Sequence, residues 1–317
     1  MNQNVWFRET MCIVDPMPRS APDLRGLWIP IVTPLDADGD VDVDALDRLA
    51  RRLLADGAAG LVALGTTGEP ATLDAAERRS VVEVCDRACR EAGRSLLVGA
   101  GTNSTRGTID EIAHLTAGTD AVAALVVAPY YTRPSEQAVV EHYAEVGAVS
   151  PVPIVAYNVP YRTGRGLGSA ALLAIAADPH VVGLKQAVGA LDVDTLQVLA
   201  GTAGSDFAVL AGDDAFIVPT CLLGAAGAIA AAAHLATPQF VEMTACALRG
   251  DVSRAGELAT TLLPVVTAGF SEPSPAVWKG ALAAQGELAT GNLRRPMTSA
   301  SPEAVDAVLA AVATATA

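Results

Sequence analysis

The sequence predicts an α/β fold, namely a (β/α)8 TIM barrel with a C-terminal helical domain. Short apolar runs recur along the chain, and each is followed by a small or polar residue and then a helical stretch. This alternation is typical of βα units around a parallel sheet. The length of 317 residues fits one barrel with an appendage. A composition of 51% hydrophobic but only 4% aromatic residues suits helices packed on buried parallel strands.

Eight apolar runs have the length of strands, which is the number that closes a TIM barrel. The stretches between them show helical spacing, as with Leu46, Leu49 and Leu53 after the first run. Asp42 or Asp44 is available there as the N-terminal cap. In chain order, the predicted strands are residues 27–33, 60–65, 95–101, 122–129, 152–158, 181–185, 207–212 and 227–231.

The periodicity divides the chain into three parts. Residues 1–22 show neither a helical nor a strand period, and we expect a disordered extension without a function of its own. Residues 23–250 hold the eight predicted βα units, and residues 251–317 carry Ala-rich and Leu-rich helical patterns. Because no glycine-rich linker separates the last two parts, we expect them to pack together.

Charge and composition argue against several classes of protein. The formal net charge of −14 and the pI near 4.6 oppose a nucleic-acid partner, because such proteins need a basic surface. No apolar run reaches the roughly 18 residues of a membrane span, and the first residues lack the pattern of a signal peptide, which predicts a cytoplasmic protein. The five cysteines are odd in number and scattered, so we expect reduced thiols and no metal site.

A lysine stands at the end of the sixth predicted strand, where TIM barrels place their chemistry. Lys185 lies in VVGLKQAVG, flanked by apolar residues. Burial disfavours the ammonium form, and the neutral amine is a nucleophile toward ketones. The competing interpretations are a lysine that extends to solvent or one that pairs with a carboxylate. The absence of an acidic neighbour in the sequence favours the nucleophile.

Other polar residues follow neighbouring strand ends. Tyr157 lies in the fifth strand, beside the sixth, and its phenol can transfer protons, although a strand tyrosine is more often a packed aromatic. The turn GTTGEP, with Thr66 and Thr67, can present backbone N–H groups to an anion. Arg162, just beyond strand five, has the planar fork that suits a carboxylate. Each of these signals is weak alone. Together they are a stronger indication of a site, because all of them lie at the same end of the predicted barrel.

Six motifs in order resemble those of the dihydrodipicolinate synthase and N-acetylneuraminate lyase superfamily, from about residue 24 to the C-terminus: GTTGE, PYYTRP, YNVPYRTG, GLKQAVG, AGDDA and FSEPSPAVWK. The resemblance implies a (β/α)8 barrel with a C-terminal helical domain and class I aldolase chemistry without a metal or organic cofactor. It also implies a homotetramer built from tight dimers. The arginine of YNVPYRTG, Arg162, resembles the arginine that the synthase branch carries at this place. This resemblance implies the substrates pyruvate and aspartate semialdehyde and a role in the diaminopimelate route to lysine.

The resemblance also implies a role for each matching residue. Lys185 would form an imine with pyruvate, and Tyr157 would be the general acid and base. Thr66 and Tyr131 would complete a proton relay, with Tyr131 reaching in from the neighbouring subunit. The substrate contacts would come from Thr67, which binds the pyruvate carboxylate, from Arg162, which binds the carboxylate of the second substrate, and from the backbone of Ile229.

Several residues depart from the family pattern. Gln186 and Val188 replace an acidic and a small polar residue, which predicts a less polar environment for the imine. Two alternatives to the synthase remain open at this stage. One is another pyruvate-dependent aldolase or hydratase-aldolase that acts on a sugar acid or other aldehyde, and the other is a non-catalytic protein that binds pyruvate. Intact Lys185, Tyr157 and Thr66 argue against the second, because binding alone does not require a proton relay.

Overall fold

Eight parallel strands form a closed barrel in which each strand pairs with the next and the last pairs with the first. The computed structural model describes residues 22–317, so the predicted extension lies outside the described residues except for its last position. All eight predicted strands are confirmed, with ends that differ from the prediction by at most three residues. The strands are β1 Gly26–Pro30, β2 Gly60–Ala63, β3 Ser95–Ala100, β4 Ala123–Val127, β5 Ile154–Asn158, β6 Val181–Gln186, β7 Ala208–Ala211 and β8 Gly227–Ile229.

Helices alternate with the strands, and side-chain caps fix where several of them begin. The side chain of Asp42 accepts the backbone N–H of Ala45, so Asp42 rather than Asp44 is the cap of the first helix. Asp74 and Glu77 form a reciprocal capping box at the second. The helices are α1 Val43–Ala55, α2 Ala75–Glu91, α3 Thr105–Thr116, α4 Glu136–Val149, α5 Pro160–Thr163, α6 Ser169–Ala176, α7 Val193–Gly201, α8 Ile217–Leu222, α9 Thr237–Leu248, α10 Val252–Gly269, α11 Ala276–Ala284 and α12 Pro302–Ala315.

The barrel interior is filled by side chains from alternate strand positions, including the fully buried indole of Trp28. Gly60 lies opposite Trp28 on the next strand, and a Cβ at that position would stand 2.3 Å from the indole ring. The second, larger cluster of apolar residues lies between the strands and the surrounding helices. Aliphatic residues dominate both clusters, as the low aromatic content predicts.

The imidazole of His234 ties the segment after β8 to the segment after β1. Its Nε2 accepts the backbone N–H of Val32 at 3.2 Å, and its Nδ1 donates to the carbonyl oxygen of Ala231 at 2.8 Å. The ring is fully buried, and this burial lowers the pKa of His234 to about 4. The histidine is therefore neutral at pH 7 and serves as a rigid connection between the two strands.

The C-terminal helices cover one side of the barrel. The predicted domain boundary after residue 250 falls in the turn between α9 and α10, which pack against each other, and α12 packs on α10. The division into two domains stays a prediction, and α9, which lies within the predicted barrel domain, packs against both β1 and α10. No helix within residues 22–317 combines the length and apolarity that crossing a membrane requires. The described cysteines are buried free thiols, Cys85, Cys89, Cys221 and Cys246, whereas Cys12 lies outside the described residues.

Candidate active site

Lys185 and Tyr157 are neighbours at the carboxyl ends of two adjacent strands. They are directly paired positions on β6 and β5, and the Nζ of Lys185 lies 4.5 Å from the centroid of the Tyr157 ring. Both side chains are buried, with exposed fractions of 7% and 6%. Parallel strands in register therefore bring an amine and a phenol together, as the sequence predicted.

The protein environment makes the amine of Lys185 easier to deprotonate. Burial lowers its pKa to about 8, and the nearby carboxylate of Asp214 acts in the opposite direction. No carboxylate lies within ion-pair distance of Lys185 among the described residues. At pH 7, on the order of a tenth of the Lys185 side chains would carry a neutral amine.

The amine faces a cavity of about 230 Å³ at the carboxyl ends of the strands. Six of the seven predicted site residues line it, namely Thr66, Thr67, Tyr157, Arg162, Lys185 and Ile229. A larger cavity of about 430 Å³ adjoins it, and Thr66, Tyr157 and Arg162 belong to the walls of both. The predicted residues thus come from five separate segments and converge on one connected space.

The two threonines stand on a short 3₁₀ turn, Thr66–Gly68, directly after β2. The hydroxyl of Thr33 donates to the carbonyl oxygen of Gly68 at 2.7 Å, which fixes the turn from the side of β1. Burial raises the pKa of Tyr157, and a hydrogen bond with Thr66 opposes this rise. Thr66 and Tyr157 both belong to the wall of the cavity that Lys185 faces.

Two acidic residues, Asp213 and Asp214, line the cavity beside Lys185, and the sequence analysis named neither of them as a site residue. Asp214 is buried, accepts the backbone N–H of Ala232 at 2.7 Å, and has a pKa that burial raises to about 7. Asp213 accepts the backbone N–H of Gly189 at 2.7 Å, and burial raises its pKa as well. The motif AGDDA could have pointed to these residues. Two consecutive carboxyl groups at a strand end cannot both be buried unless polar groups contact them.

Arg162 lies at the rim of the cavity on the short helix α5. Its guanidinium stands 5.3 Å from the ring centroid of Tyr161, which also lines the cavity and is largely exposed. This stacking restrains the guanidinium without using up its hydrogen-bond donors. The rim therefore carries an available planar cation above the buried amine.

Gln186 faces away from the cavity, so the predicted effect of this residue on the polarity around the imine is wrong. Successive residues of a strand point to opposite faces, and Lys185 faces inward. The side chain of Gln186 accepts from Asn158 at 3.0 Å and donates to Thr195 at 3.1 Å in the layer between barrel and helices. Val188 does not line the cavity either.

Tyr131 is the one predicted site residue that the chain does not bring to its own cavity. Its side chain is 86% exposed, and its backbone adopts the left-handed conformation with a φ of 67°. The predicted entry of Tyr131 into a neighbouring subunit stays a prediction. Within residues 22–317, no three His, Cys, Asp or Glu side chains are grouped as they would be around a metal ion.

Fold and site define a (β/α)8 barrel with a buried lysine at its centre, whose amine faces a cavity at the carboxyl ends of the strands. Residues 23–315 match the model of the dihydrodipicolinate synthetase family, and the chain belongs to that family.

Named relatives cover most of the chain. The 4-hydroxy-tetrahydrodipicolinate synthase of Methanothrix thermoacetophila is 39% identical over 280 residues, which span 88% of this chain and 92% of the relative. That of Phenylobacterium zucineum is 38% identical over 95% of this chain and 98% of its own. Among solved structures, the chloride-inhibited dihydrodipicolinate synthase of Acinetobacter baumannii in complex with pyruvate superimposes with a TM-score of 0.87 at 32% identity, covering 92% and 99% of the two chains.

Proposed function

We propose that this chain condenses pyruvate, held as an imine on Lys185, with aspartate semialdehyde to give 4-hydroxy-tetrahydrodipicolinate. The observation that carries the proposal is the buried amine of Lys185 beside the phenol of Tyr157, in a cavity at the strand ends. The family membership and the names of the relatives support this choice of reaction. The product makes the enzyme a lyase of the diaminopimelate route to lysine.

In the first step, the lone pair of Lys185 Nζ attacks the C2 carbonyl of pyruvate. A carbinolamine forms, and loss of its hydroxyl as water leaves the imine. The lowered pKa of Lys185 supplies the neutral amine that this attack requires. The turn at Thr67 holds the pyruvate carboxylate through backbone N–H groups, and the backbone of Ile229 contacts the same substrate from β8.

The imine then acts as an electron sink. Loss of a proton from the methyl group of pyruvate gives an enamine, whose terminal carbon attacks the aldehyde carbon of the second substrate and forms the new carbon–carbon bond. The phenol of Tyr157 protonates the resulting alkoxide. Thr66 and Tyr131 carry protons between Tyr157 and solvent, and such a relay contributes on the order of 10²- to 10⁴-fold.

Arg162 at the rim binds the carboxylate of aspartate semialdehyde and orients its aldehyde toward the enamine. The amino group of this substrate then displaces Lys185 from C2, which closes the ring and regenerates the free amine. One water is lost overall, and no electrons leave or enter. The proposed chemistry needs no metal or organic cofactor, because the imine itself stabilises the carbanion.

The proposed assembly is a homotetramer built from tight dimers, with Tyr131 of each subunit entering the site of its partner. The high exposure of Tyr131 in the single chain supports a position for this ring outside its own cavity. A cytoplasmic location is part of the proposal, and the free thiols of the described cysteines support it.

The test is turnover with purified protein, pyruvate and either aspartate semialdehyde or a panel of aldehydes that includes sugar-acid precursors. The proposal predicts turnover of aspartate semialdehyde with a kcat/KM at least about 100-fold above any other aldehyde. Arg162→Met is expected to raise the half-saturating concentration of aspartate semialdehyde while that of pyruvate stays within about twofold. Preferred turnover of another aldehyde would contradict the proposed substrate and retain the imine.

A further inference from the structure

The second lysine of the chain is also buried and lies against the threonine turn. The sequence contains only two lysines, Lys185 and Lys279, and arginine supplies every other basic side chain apart from the histidines. Lys279 stands on α11 with an exposed fraction of 0%, and its Nζ lies 2.7 Å from Oε1 of Glu69. Glu69 directly follows the turn Thr66–Gly68. The ion pair thus connects the C-terminal helices to the cavity wall.

Both oxygens of the Glu69 carboxylate are used by the C-terminal part of the chain. Oε1 pairs with Lys279, and Oε2 accepts the backbone N–H of Arg294 at 3.2 Å. The backbone N–H of Glu69 donates to the carbonyl oxygen of Thr66 at 3.2 Å, with Glu69 in the left-handed conformation at a φ of 54°. This conformation is unfavourable for a residue other than glycine, so the surroundings must hold it.

Stability alone does not account for this arrangement. Removing two charges from water costs several kcal/mol per ion, and replacing a buried ion pair with apolar residues of similar volume is often neutral or stabilising. An apolar pair would not fix the orientation of its two side chains. The carboxylate of Glu69, in contrast, holds Lys279 and the backbone N–H of Arg294 at hydrogen-bond distance, one on each oxygen. The pair therefore ties Glu69, which directly follows the turn, to α11 and to the segment at Arg294 in a defined geometry.

We infer that Lys279 and Glu69 are a positioning pair that holds the Thr66–Gly68 turn in the geometry required to bind the carboxylate of the keto acid. The inference rests on the proposed function, because it takes pyruvate as the ligand of the turn. The inference gives α11, one of the C-terminal helices, a role in positioning the site. A shift of about 1 Å in a positioning element costs on the order of 100-fold in rate, so a loosened turn has a measurable effect.

The test replaces the pair with the apolar double variant Glu69→Met/Lys279→Met, which keeps side-chain volume and leaves no buried charge unpaired. Thermal unfolding establishes that the variant is folded at the assay temperature. Half-saturating pyruvate is then measured in turnover and in borohydride trapping of the imine. The matched control is Arg254→Met, which removes an exposed ion pair with Glu242 between α9 and α10.

The inference predicts that half-saturating pyruvate rises about tenfold or more in the folded double variant, in both assays. The pH midpoint of trapping should stay unchanged, because Lys185 keeps its surroundings, and Arg254→Met should match the wild type. A folded double variant within twofold of the wild-type value would overturn the inference. If the double variant does not fold, Glu69→Gln serves in its place, since it keeps volume and removes one of the two acceptor contacts, and the same twofold limit applies.

Different measurements test the proposed imine chemistry and the proposed role of the Lys279–Glu69 pair. The wild-type protein alone decides whether pyruvate forms an imine, whereas the ratio of variant to wild type decides the role of the pair. Amide exchange of the peptide that contains the turn adds a measurement independent of pyruvate. Faster exchange there in the double variant, with unchanged exchange in Arg254→Met, is the expected result, and unchanged exchange in both would contradict a positioning role.

Discussion

Tyr157 and Lys185 occupy paired positions on neighbouring parallel strands, which places the amine 4.5 Å from the centre of the phenol ring. Their relationship depends on the register of β5 and β6, so a rigid part of the barrel rather than a loop sets it. In the proposed mechanism, the phenol and the amine therefore need little rearrangement to act on one substrate.

Imine formation should depend on the ionisation of Lys185 and on the charge of Asp214. The neutral amine is the nucleophile, so the trapping rate should rise with pH and level off above about 8. The Asp214 carboxylate raises the pKa of Lys185, and Asp214→Asn should therefore shift the midpoint to lower pH. Borohydride trapping over a pH series measures both curves. An unchanged or higher midpoint in Asp214→Asn would contradict this electrostatic account.

Loss of the Tyr157 hydroxyl should slow turnover more than it weakens substrate binding. Tyr157→Phe keeps the ring beside Lys185 and removes only the proton-transfer group. We expect kcat to fall on the order of 100-fold or more, with half-saturating pyruvate changed by less than about threefold. Steady-state kinetics give both values, and thermal unfolding serves as the folding control. A kcat close to that of the wild type would remove Tyr157 from the relay.

Mixed oligomers can test the predicted exchange of Tyr131 between subunits. Tyr131→Phe and Lys185→Ala should each be nearly inactive alone. In a mixed dimer, the intact Lys185 of one subunit meets the intact Tyr131 of the other, so one complete site forms. Co-refolding equal amounts should restore about a quarter of the wild-type activity, since half of the dimers are mixed and each has one working site. No recovery in dimers proven to be mixed would assign Tyr131 to its own chain.

Mild acid should destabilise the fold through His234. The pKa of His234 is about 4 in the folded protein and near 6.5 when unfolded, so the unfolded chain takes up the proton first as the pH falls. The contribution of His234 to stability is therefore lost from about pH 6.5 down to about 4, and it amounts to about 2 kcal/mol between pH 7 and 5. Denaturant unfolding of the wild type and His234→Gln at both pH values measures this. The variant should lose less stability on acidification, and an equal loss would contradict the assignment.

The sequence predicted the barrel and the place of Lys185 at a strand end for a simple physical reason. Parallel strands covered on both faces are continuous apolar runs, so a lysine such as Lys185 at the end of one is conspicuous. The Glu69–Lys279 pair joins residues 210 positions apart and leaves no local pattern, so only the folded chain reveals it. The prediction for Gln186 is wrong because alternation along a strand places it and Lys185 on opposite faces, although the two are adjacent in sequence.

The predicted place of Tyr131 in a neighbouring subunit rests on the family resemblance, and the structure of a single chain does not test it. Its high exposure and left-handed backbone are properties of the single subunit, and the group it would contact belongs to another. Arg162 and the threonine turn were predictable because each follows a strand whose end the apolar pattern had already located.

The most direct measurement is the location of the adduct after incubation with pyruvate and reduction with borohydride. Because the sequence has only Lys185 and Lys279, peptide mass spectrometry has two lysines to distinguish. We predict a reduced pyruvate adduct on Lys185 and none on Lys279, whose amine is paired with Glu69. The absence of an adduct on Lys185 in folded protein, under conditions where a control class I aldolase is trapped, would contradict the account.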